Sequence, residues 1–255
     1  VSQPEPAQPA NPAVPFERSG PAAIHLRPTA ALAERVLLPG DPGRALALAQ
    51  VLIAEPRMFN HHRGLWGYTG PAHADGEPLT IQSTGMGGPS AAIVLHELIA
   101  LGVRRAVRVG TCGALAPGLA LGELVIAREA ICLDGASRAL GAGERVSADR
   151  GLAGALQSAA PAGAHCGAVL SVDLFYDEGA RLPDSAADAL AIEMETATLF
   201  AVGMRAGVPV GCVLTVSDTF DATGARTRID DNALLAAAES MGAVAVAALG
   251  AAVTG

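Results

Sequence analysis

From Ala22 onward, short apolar runs rich in β-branched residues alternate with longer apolar stretches of helical period. The runs predict strands over Arg35–Leu38, Leu79–Thr84, Ala106–Gly110, Leu124–Ala130, Ala168–Val172, Leu190–Met194 and Val208–Ser217. Trp66–Thr69 is expected to pair with Leu79–Thr84 around an Asp75-Gly76 turn, a dipeptide that readily adopts the positive φ of a tight hairpin. Helices are expected over Arg44–Ile53, Ser90–Leu101, Thr196–Arg205 and Asn232–Ala248. Pro89 suits a first helical turn, where an N–H would be unsatisfied anyway, and Gly102 suits a helix stop. No repeat or internal linker interrupts the alternation. It predicts one α/β domain, residues 22–255, built on a largely parallel core sheet. Such sheets bind ligands beyond the C-terminal ends of their strands, so the chemistry is expected where strands stop.

Composition refines this at the edges. Residues 1–21 hold six prolines and few large apolar side chains, the make-up of a disordered tail. The tail has neither a basic start nor an apolar core, so it does not read as a secretory signal. The chain is 51% hydrophobic over 255 residues, ample for a core, yet no run of about 18 uninterrupted apolar residues suggests a membrane span. Met241–Val253 is apolar but too short to cross. A net charge of -8 argues against non-specific binding to nucleic acid or an anionic membrane. Cys112, Cys132, Cys166 and Cys212 show no metal-ligand spacing, and read as small buried hydrophobes in a reducing, cytoplasmic setting.

Five segments carry candidate chemistry. Leu38-Pro39-Gly40-Asp41-Pro42-Gly43-Arg44 joins a strand to a helix; Gly40 permits close backbone approach, the helix start offers free N–H groups, and Arg44 adds a guanidinium fork that matches phosphate. Alone, it is equally a turn with a surface Arg. Ser83-Thr84-Gly85-Met86-Gly87-Gly88-Pro89-Ser90 also joins strand to helix. Ser90 stands where a dinucleotide fingerprint needs its third glycine and no acidic residue follows at the right distance, leaving a phosphate or sugar loop. Arg108, in Arg108-Val109-Gly110-Thr111-Cys112-Gly113, lies inside an apolar strand. It is either paired with an internal carboxylate or aimed at an anionic ligand, with Thr111 beside it. In Ile192-Glu193-Met194-Glu195, extended backbone turns both carboxylates the same way, as a polyol site would need; a solvated helix start is the alternative. Val216-Ser217-Asp218 ends a strand with a carboxyl able to serve as general acid or base, or simply to cap a turn. Phe175 and Tyr176, rare aromatics in this chain, either stack on a flat ring or belong to the core.

Taken in order, these residues resemble the nucleoside phosphorylase-I family, the trimeric and hexameric purine nucleoside and uridine phosphorylases. The likeness spans Ile24 to Gly250 and rests on LPGDPGRA (38–45), NHHRGLWGYTG (60–70), STGMGGPS (83–90), RVGTCGA (108–114), DLFY (173–176), EMETATLF (193–200) and VSD (216–218). It is most similar to the hexameric bacterial and archaeal purine type. The resemblance implies a mixed, partly barrel-like central sheet flanked by helices. It implies that Gly40, Arg44, Arg108 and Thr111 hold phosphate, joined by Arg63 from the neighbouring subunit. It gives the ribose to Glu195 and Met194, with His25 reaching across the interface, and the base to Phe175, Cys112, Gly113, Glu193 and Ser217. Asp218 becomes the general acid at purine N7, supported by Arg226.

The implied reaction is phosphorolysis of a purine nucleoside to free base and pentose 1-phosphate, with inorganic phosphate as co-substrate and neither metal nor organic cofactor. The implied assembly is a homohexamer, a trimer of dimers. Because an isolated Asp titrates near about 3.9, burial or the substrate has to raise Asp218 for it to carry a proton at neutral pH. Some features point elsewhere. STGMGGPS and Leu133-Asp134-Gly135-Ala136-Ser137 are similar to the uridine branch and Thr111 to the uridine and archaeal types, whereas Gly179 replaces the Gln that partners an Arg, here Arg181, in uridine enzymes. A uridine or methylthioadenosine phosphorylase, a hydrolytic nucleosidase and a non-catalytic nucleoside sensor therefore stay open.

Overall fold

The computed structural model describes residues 23–176, 182–221 and 223–251. The proline-rich segment 1–21 lies outside them, as do Gly179 and Arg181. In chain order the elements are β1 (Arg35–Leu38), α1 (Pro42–Leu52), β2 (Arg57–Asn60), β3 (Gly67–Pro71), β4 (Pro78–Gln82), α2 (Gly88–Leu101), β5 (Arg105–Ala114) and β6 (Leu124–Cys132). There follow α3 (Gly135–Ala139), β7 (Arg145–Ser147), α4 (Arg150–Ala159), β8 (His165–Ser171), β9 (Ala189–Glu193), α5 (Thr196–Ala206), β10 (Val210–Phe220), β11 (Arg226–Arg228) and α6 (Asp231–Ala251).

Every strand and helix expected from the pattern is present. The additional ones are β2, β7, β11, α3 and α4. The strands among them are three or four residues long, too short for a period to show, and β11 (Arg-Thr-Arg) has no apolar residue. Gly151 and Gly154 dilute the helical signal of α4, yet Asp149 caps it by accepting from the Leu152 N–H. Asp41 and Asp134 cap α1 and α3 in the same way.

The sheet is mixed, which corrects the expectation of a largely parallel one. β1 runs parallel to β4 and β5, β5 to β10, and β8 to β6 and β9. The pairs β3–β4, β5–β9 and β6–β10 are antiparallel. An apolar run buried on both faces reads the same in either direction, so the pattern alone carries no strand polarity. The strands β5, β10, β6, β8 and β9 close into a five-membered ring, and β1, β4, β3 and β2 extend from it through β5. The β3–β4 hairpin matches the expected pairing, Tyr68 opposite Ile81.

Strand alternation divides the core. Leu37, Val107, Val109, Ile126 and Val213 face α1, α4 and α6, where Leu48, Leu156, Met241 and Leu249 are buried. Val36, Leu38, Ala106, Cys112 and Leu214 face α2 and α5, packed on Leu95, Leu98, Leu199 and Phe200. Burying each such Leu or Phe contributes about 1.5–3 kcal/mol. Helix α6 has a length and hydropathy that would suit a membrane span, but Met241, Ala245 and Leu249 lie within the core. All four cysteines are free thiols, three of them buried. Burial pushes the Cys212 thiol up to about 12, which keeps it an uncharged packing group.

Candidate active site

Two strand-to-helix loops lie side by side. The Thr84 N–H donates to the Pro39 carbonyl at 2.9 Å and the Gly85 N–H to the Gly40 carbonyl at 3.0 Å. Gly40 and Gly87, far apart in sequence, thereby border one site at the ends of β1 and β4. Gly87 adopts φ 83°, ψ 159°, a conformation that disfavours any side chain. There its N–H donates to Glu195 Oε1 at 2.5 Å. The loop left open between phosphate and sugar thus holds the carboxylate assigned to the sugar.

Of the two readings of Arg108, the structure shows the pairing with internal carboxylates. Its Nη2 lies 2.6 Å from Glu195 Oε2 and 3.0 Å from Glu193 Oε2, all three groups being buried. The guanidinium lies back over Gly110: a Cβ there would sit 2.7 Å from Arg108 Cζ, so only glycine leaves the space. Its Nε is buried without a hydrogen-bond partner among the described residues. Burial opposes the charge on Arg108, but Glu195 and Glu193 outweigh it and hold its pKa above the usual value. Burial pushes Glu195 up, opposed by Arg108 and the Gly87 N–H and reinforced by Glu193. Two carboxylates share one cation in a dry site, so one of them resists ionisation.

Glu193 requires a correction. Its side chain is 1% exposed and its oxygens are occupied. They accept the Glu195 and Thr196 N–H groups at 2.9 Å and a hydrogen bond from the Ser171 hydroxyl. A carboxylate enclosed in this way has no surface left for a base. It caps the start of α5 and fixes Arg108 instead, and the solvated-helix-start alternative fails with it. Met194 is half-buried between the two glutamates.

Arg44 sits in the first turn of α1, half-buried, and its guanidinium makes no hydrogen bond within the described residues. Burial lowers its pKa; Asp41 and Glu195 counter this, while the nearby charges of Arg108 and Arg228 add to it. Arg44 therefore sits in the positive field of Arg108 and Arg228, a repulsion that an anion would relieve. Thr111 is half-buried on β5 with its hydroxyl similarly unused.

Asp218 is buried near the end of β10. Its Oδ1 accepts from Arg226 Nε at 2.7 Å, with Arg228 Nη1 at 3.3 Å, and its Oδ2 accepts from the Ser217 hydroxyl at 2.6 Å. The Cys112 carbonyl, 3.2 Å from that hydroxyl, is its alternative acceptor. Burial pushes Asp218 up, but the Arg226 and Ser217 hydrogen bonds and the two Arg charges outweigh it and hold the carboxyl below its usual range. The net effect of the fold is therefore to lower Asp218; of the two routes to a protonated acid, that leaves the substrate. The Cζ of Arg226 also lies 4.6 Å over the Phe175 ring. Phe175 and Tyr176 meet edge to face at 4.9 Å and are exposed, which sets aside the core reading.

Cys112 is buried with its thiol toward the Thr215 carbonyl at 3.6 Å, so it offers a ligand backbone only. Gly113 lies opposite Asp218 in the β5–β10 register. His25 and Arg63 form a separate patch. His25 Nδ1 is 2.6 Å from Glu97 Oε1, and the His62 ring is 3.0 Å from the His25 carbonyl. Arg63 is exposed in the left-handed region at φ 60°. Neither makes a hydrogen bond or ion pair with Arg108, Glu195 or Asp218. The residues that sequence reasoning missed are Gly110, Ser171, Phe220 and Arg228. Gly87 lay in a loop whose glycine spacing had already invited a ligand role.

A closed mixed barrel with guanidinium groups, a buried carboxylate pair and a strand-end acid at one end is an α/β scaffold suited to holding an anion against a polyol. The description "Phosphorylase superfamily" belongs to the family model that matches residues 34–250. The chain belongs to this superfamily. A purine nucleoside phosphorylase DeoD-type of Caldanaerobacter subterraneus subsp. tengcongensis is 37% identical over 216 residues, 77% of this chain and 89% of that protein. The DeoD-type proteins of Bacillus cereus and Geobacillus kaustophilus are each 37% identical, covering 73% and 74% of this chain and 82% and 83% of their own lengths.

Proposed function

We propose that this chain catalyses phosphorolysis of purine ribo- and deoxyribonucleosides, giving free base and pentose 1-phosphate, with inorganic phosphate as co-substrate and no cofactor. The observation that carries this reading is the unpaired, half-buried Arg44 guanidinium within the field of Arg108 and Arg228. Gly40, the α1 N-terminus and Thr111 complete a phosphate site, with Arg63 supplied by a neighbouring subunit. Glu195, aimed by Gly87 and Arg108, accepts the ribose hydroxyls beside Met194, and His25 of a neighbouring subunit reaches the 5′-hydroxyl. Phosphate then opposes the positive charge that grows on the ribose as the glycosidic bond breaks.

Asp218 is the general acid at N7. In the free protein it is a carboxylate, so its proton is acquired in the substrate-bound state. Ser217 makes that transition inexpensive. While Asp218 is ionised the hydroxyl donates to Oδ2; once Oδ2 is protonated it turns to the Cys112 carbonyl and leaves no orphaned donor. The similarity to proteins named purine nucleoside phosphorylase DeoD-type supports purine nucleosides as substrates; a homohexamer and a cytoplasmic location are part of the proposal.

The test is base release from inosine, adenosine, methylthioadenosine and uridine, each with and without phosphate. Phosphate-dependent release from the purine nucleosides alone is expected. Release from uridine moves the chain to the pyrimidine branch, and release without phosphate makes it a hydrolase.

A further inference from the structure

We propose that Phe220 is the specificity-determining wall of the base site, a flat apolar surface that selects a bicyclic base. This rests on the reading that Asp218 serves a nucleobase. In the β10–β11 ribbon, Asp218 pairs with Arg228 and Phe220 with Arg226. Side chains two apart on a strand, and side chains directly opposite across an antiparallel pair, share a face. Asp218, Phe220, Arg226 and Arg228 therefore lie on one face, and for Asp218 and the two Arg residues the ion pairs show it independently.

The ring is placed as well as exposed. Phe220 leans across to β5 and covers Gly113: a Cβ at Gly113 would lie 3.1 Å from Phe220 Cε2 and 3.5 Å from Cζ. Gly113 is itself the register partner of Asp218. The ring thus rests on the backbone beside the acid, with 47% of the residue still in water. Phe175, 53% exposed beneath Arg226, supplies a second aromatic surface bordering the same ion pair. The whole chain has five Phe, two Tyr and one Trp, and three of these eight rings, Phe175, Tyr176 and Phe220, stand exposed within this region. A bicyclic purine covers more of such a surface than a single pyrimidine ring, so the wall favours purines even before a proton moves.

The experiment pairs kinetics with a binding signal. Phe220→Ala is expected to raise the KM for inosine about three- to tenfold, with the phosphate KM within about twofold of the parent. Phe220→Trp, made in a Trp66→Phe background so that it carries the sole indole, is expected to be quenched by hypoxanthine and not by ribose 5-phosphate. An unchanged inosine KM in Phe220→Ala, an equal rise in the phosphate KM, or no quenching by hypoxanthine overturns the proposal. Should the parent protein release no base with phosphate, the phosphorolytic reading falls, and quenching by hypoxanthine alone still decides for or against the wall.

Discussion

The site contains two ion clusters that use the same chemistry to opposite ends. In the inner one, Arg108 is enclosed with Glu193 and Glu195, and almost every oxygen is fixed by a backbone N–H or a hydroxyl. In the outer one, Asp218 is buried but its cations are not: the Arg226 and Arg228 side chains are 33% and 58% exposed. In the inner cluster burial drives the Glu195 carboxyl up, and Arg108 does not fully offset it. In the outer cluster burial is outweighed by the Arg226 and Ser217 hydrogen bonds and the two Arg charges, and the Asp218 carboxyl is driven down. The contrast separates two tasks. A group that binds hydroxyls and phosphate gains from rigid pre-organisation, whereas one that takes up and gives away a proton needs neighbours free to adjust.

The largest expected effect tests the inner cluster. Arg108→Ala leaves two buried carboxylates without their cation, and urea unfolding is expected to show a loss of about 3–5 kcal/mol together with loss of phosphate-dependent turnover. A loss below about 1 kcal/mol would mean that water reaches the cluster and that the enclosure argued for it is wrong. The converse test belongs to the outer cluster. Asp218→Asn keeps the shape of the side chain and is expected to cost no more than about 1 kcal/mol of stability at neutral pH, while turnover of inosine falls about 10²–10⁴-fold. A nucleoside with a good leaving base is expected to lose far less; equal losses on both would remove Asp218 from the acid role.

How much of this was legible in the sequence follows the same division. The strand-to-helix loops at Gly40 and Gly87, the Glu-Met-Glu carboxylates and the strand-end Asp218 showed because each interrupts an apolar run with residues that a core would exclude. Strand polarity did not show, because Leu124–Cys132 is equally apolar read either way and runs antiparallel to β10. Nor did the burial of Glu193: alternation turned it toward Glu195, but its enclosure depends on Ser171, contributed by a strand more than twenty residues upstream. Phe220 fell beyond the predicted end of its strand, and Arg226–Arg228 is too short and too charged to read as a strand at all. The parts missed are those whose meaning comes from a cross-strand neighbour.

Acid sharpens the comparison with a smaller effect. Asp218 titrates below its unfolded value of about 3.9, so its pairing contributes stability above that pH and loses it as pH falls through the lowered folded value. Glu195, raised in the fold, does the reverse: its contribution is present at low pH and is lost as pH rises through its folded value. The stability gap between the parent and Asp218→Asn is therefore expected to shrink as pH falls from about 5 toward 2. A gap that stays constant would show that Arg226 and Arg228 contribute nothing to Asp218 in the folded chain.

The smallest expected effects separate the two outer cations. Arg226 makes the shorter contact to Asp218 and covers Phe175, so Arg226→Ala is expected to move the alkaline limb of the rate profile, where the general acid loses its proton, to higher pH and to raise the nucleoside KM. Arg228 lies at 3.3 Å and is mostly solvated, so Arg228→Ala is expected to change stability by no more than about 0.5 kcal/mol. Its measurable trace lies on the other side of the site, where its charge acts on Arg44. Removing it takes one positive charge from the anion's surroundings, and the phosphate KM is expected to rise two- to threefold, an effect that added salt weakens. If Arg228→Ala instead shifted the pH profile as far as Arg226→Ala, the two cations would act on Asp218 alike, and the outer cluster would be as tightly organised as the inner one.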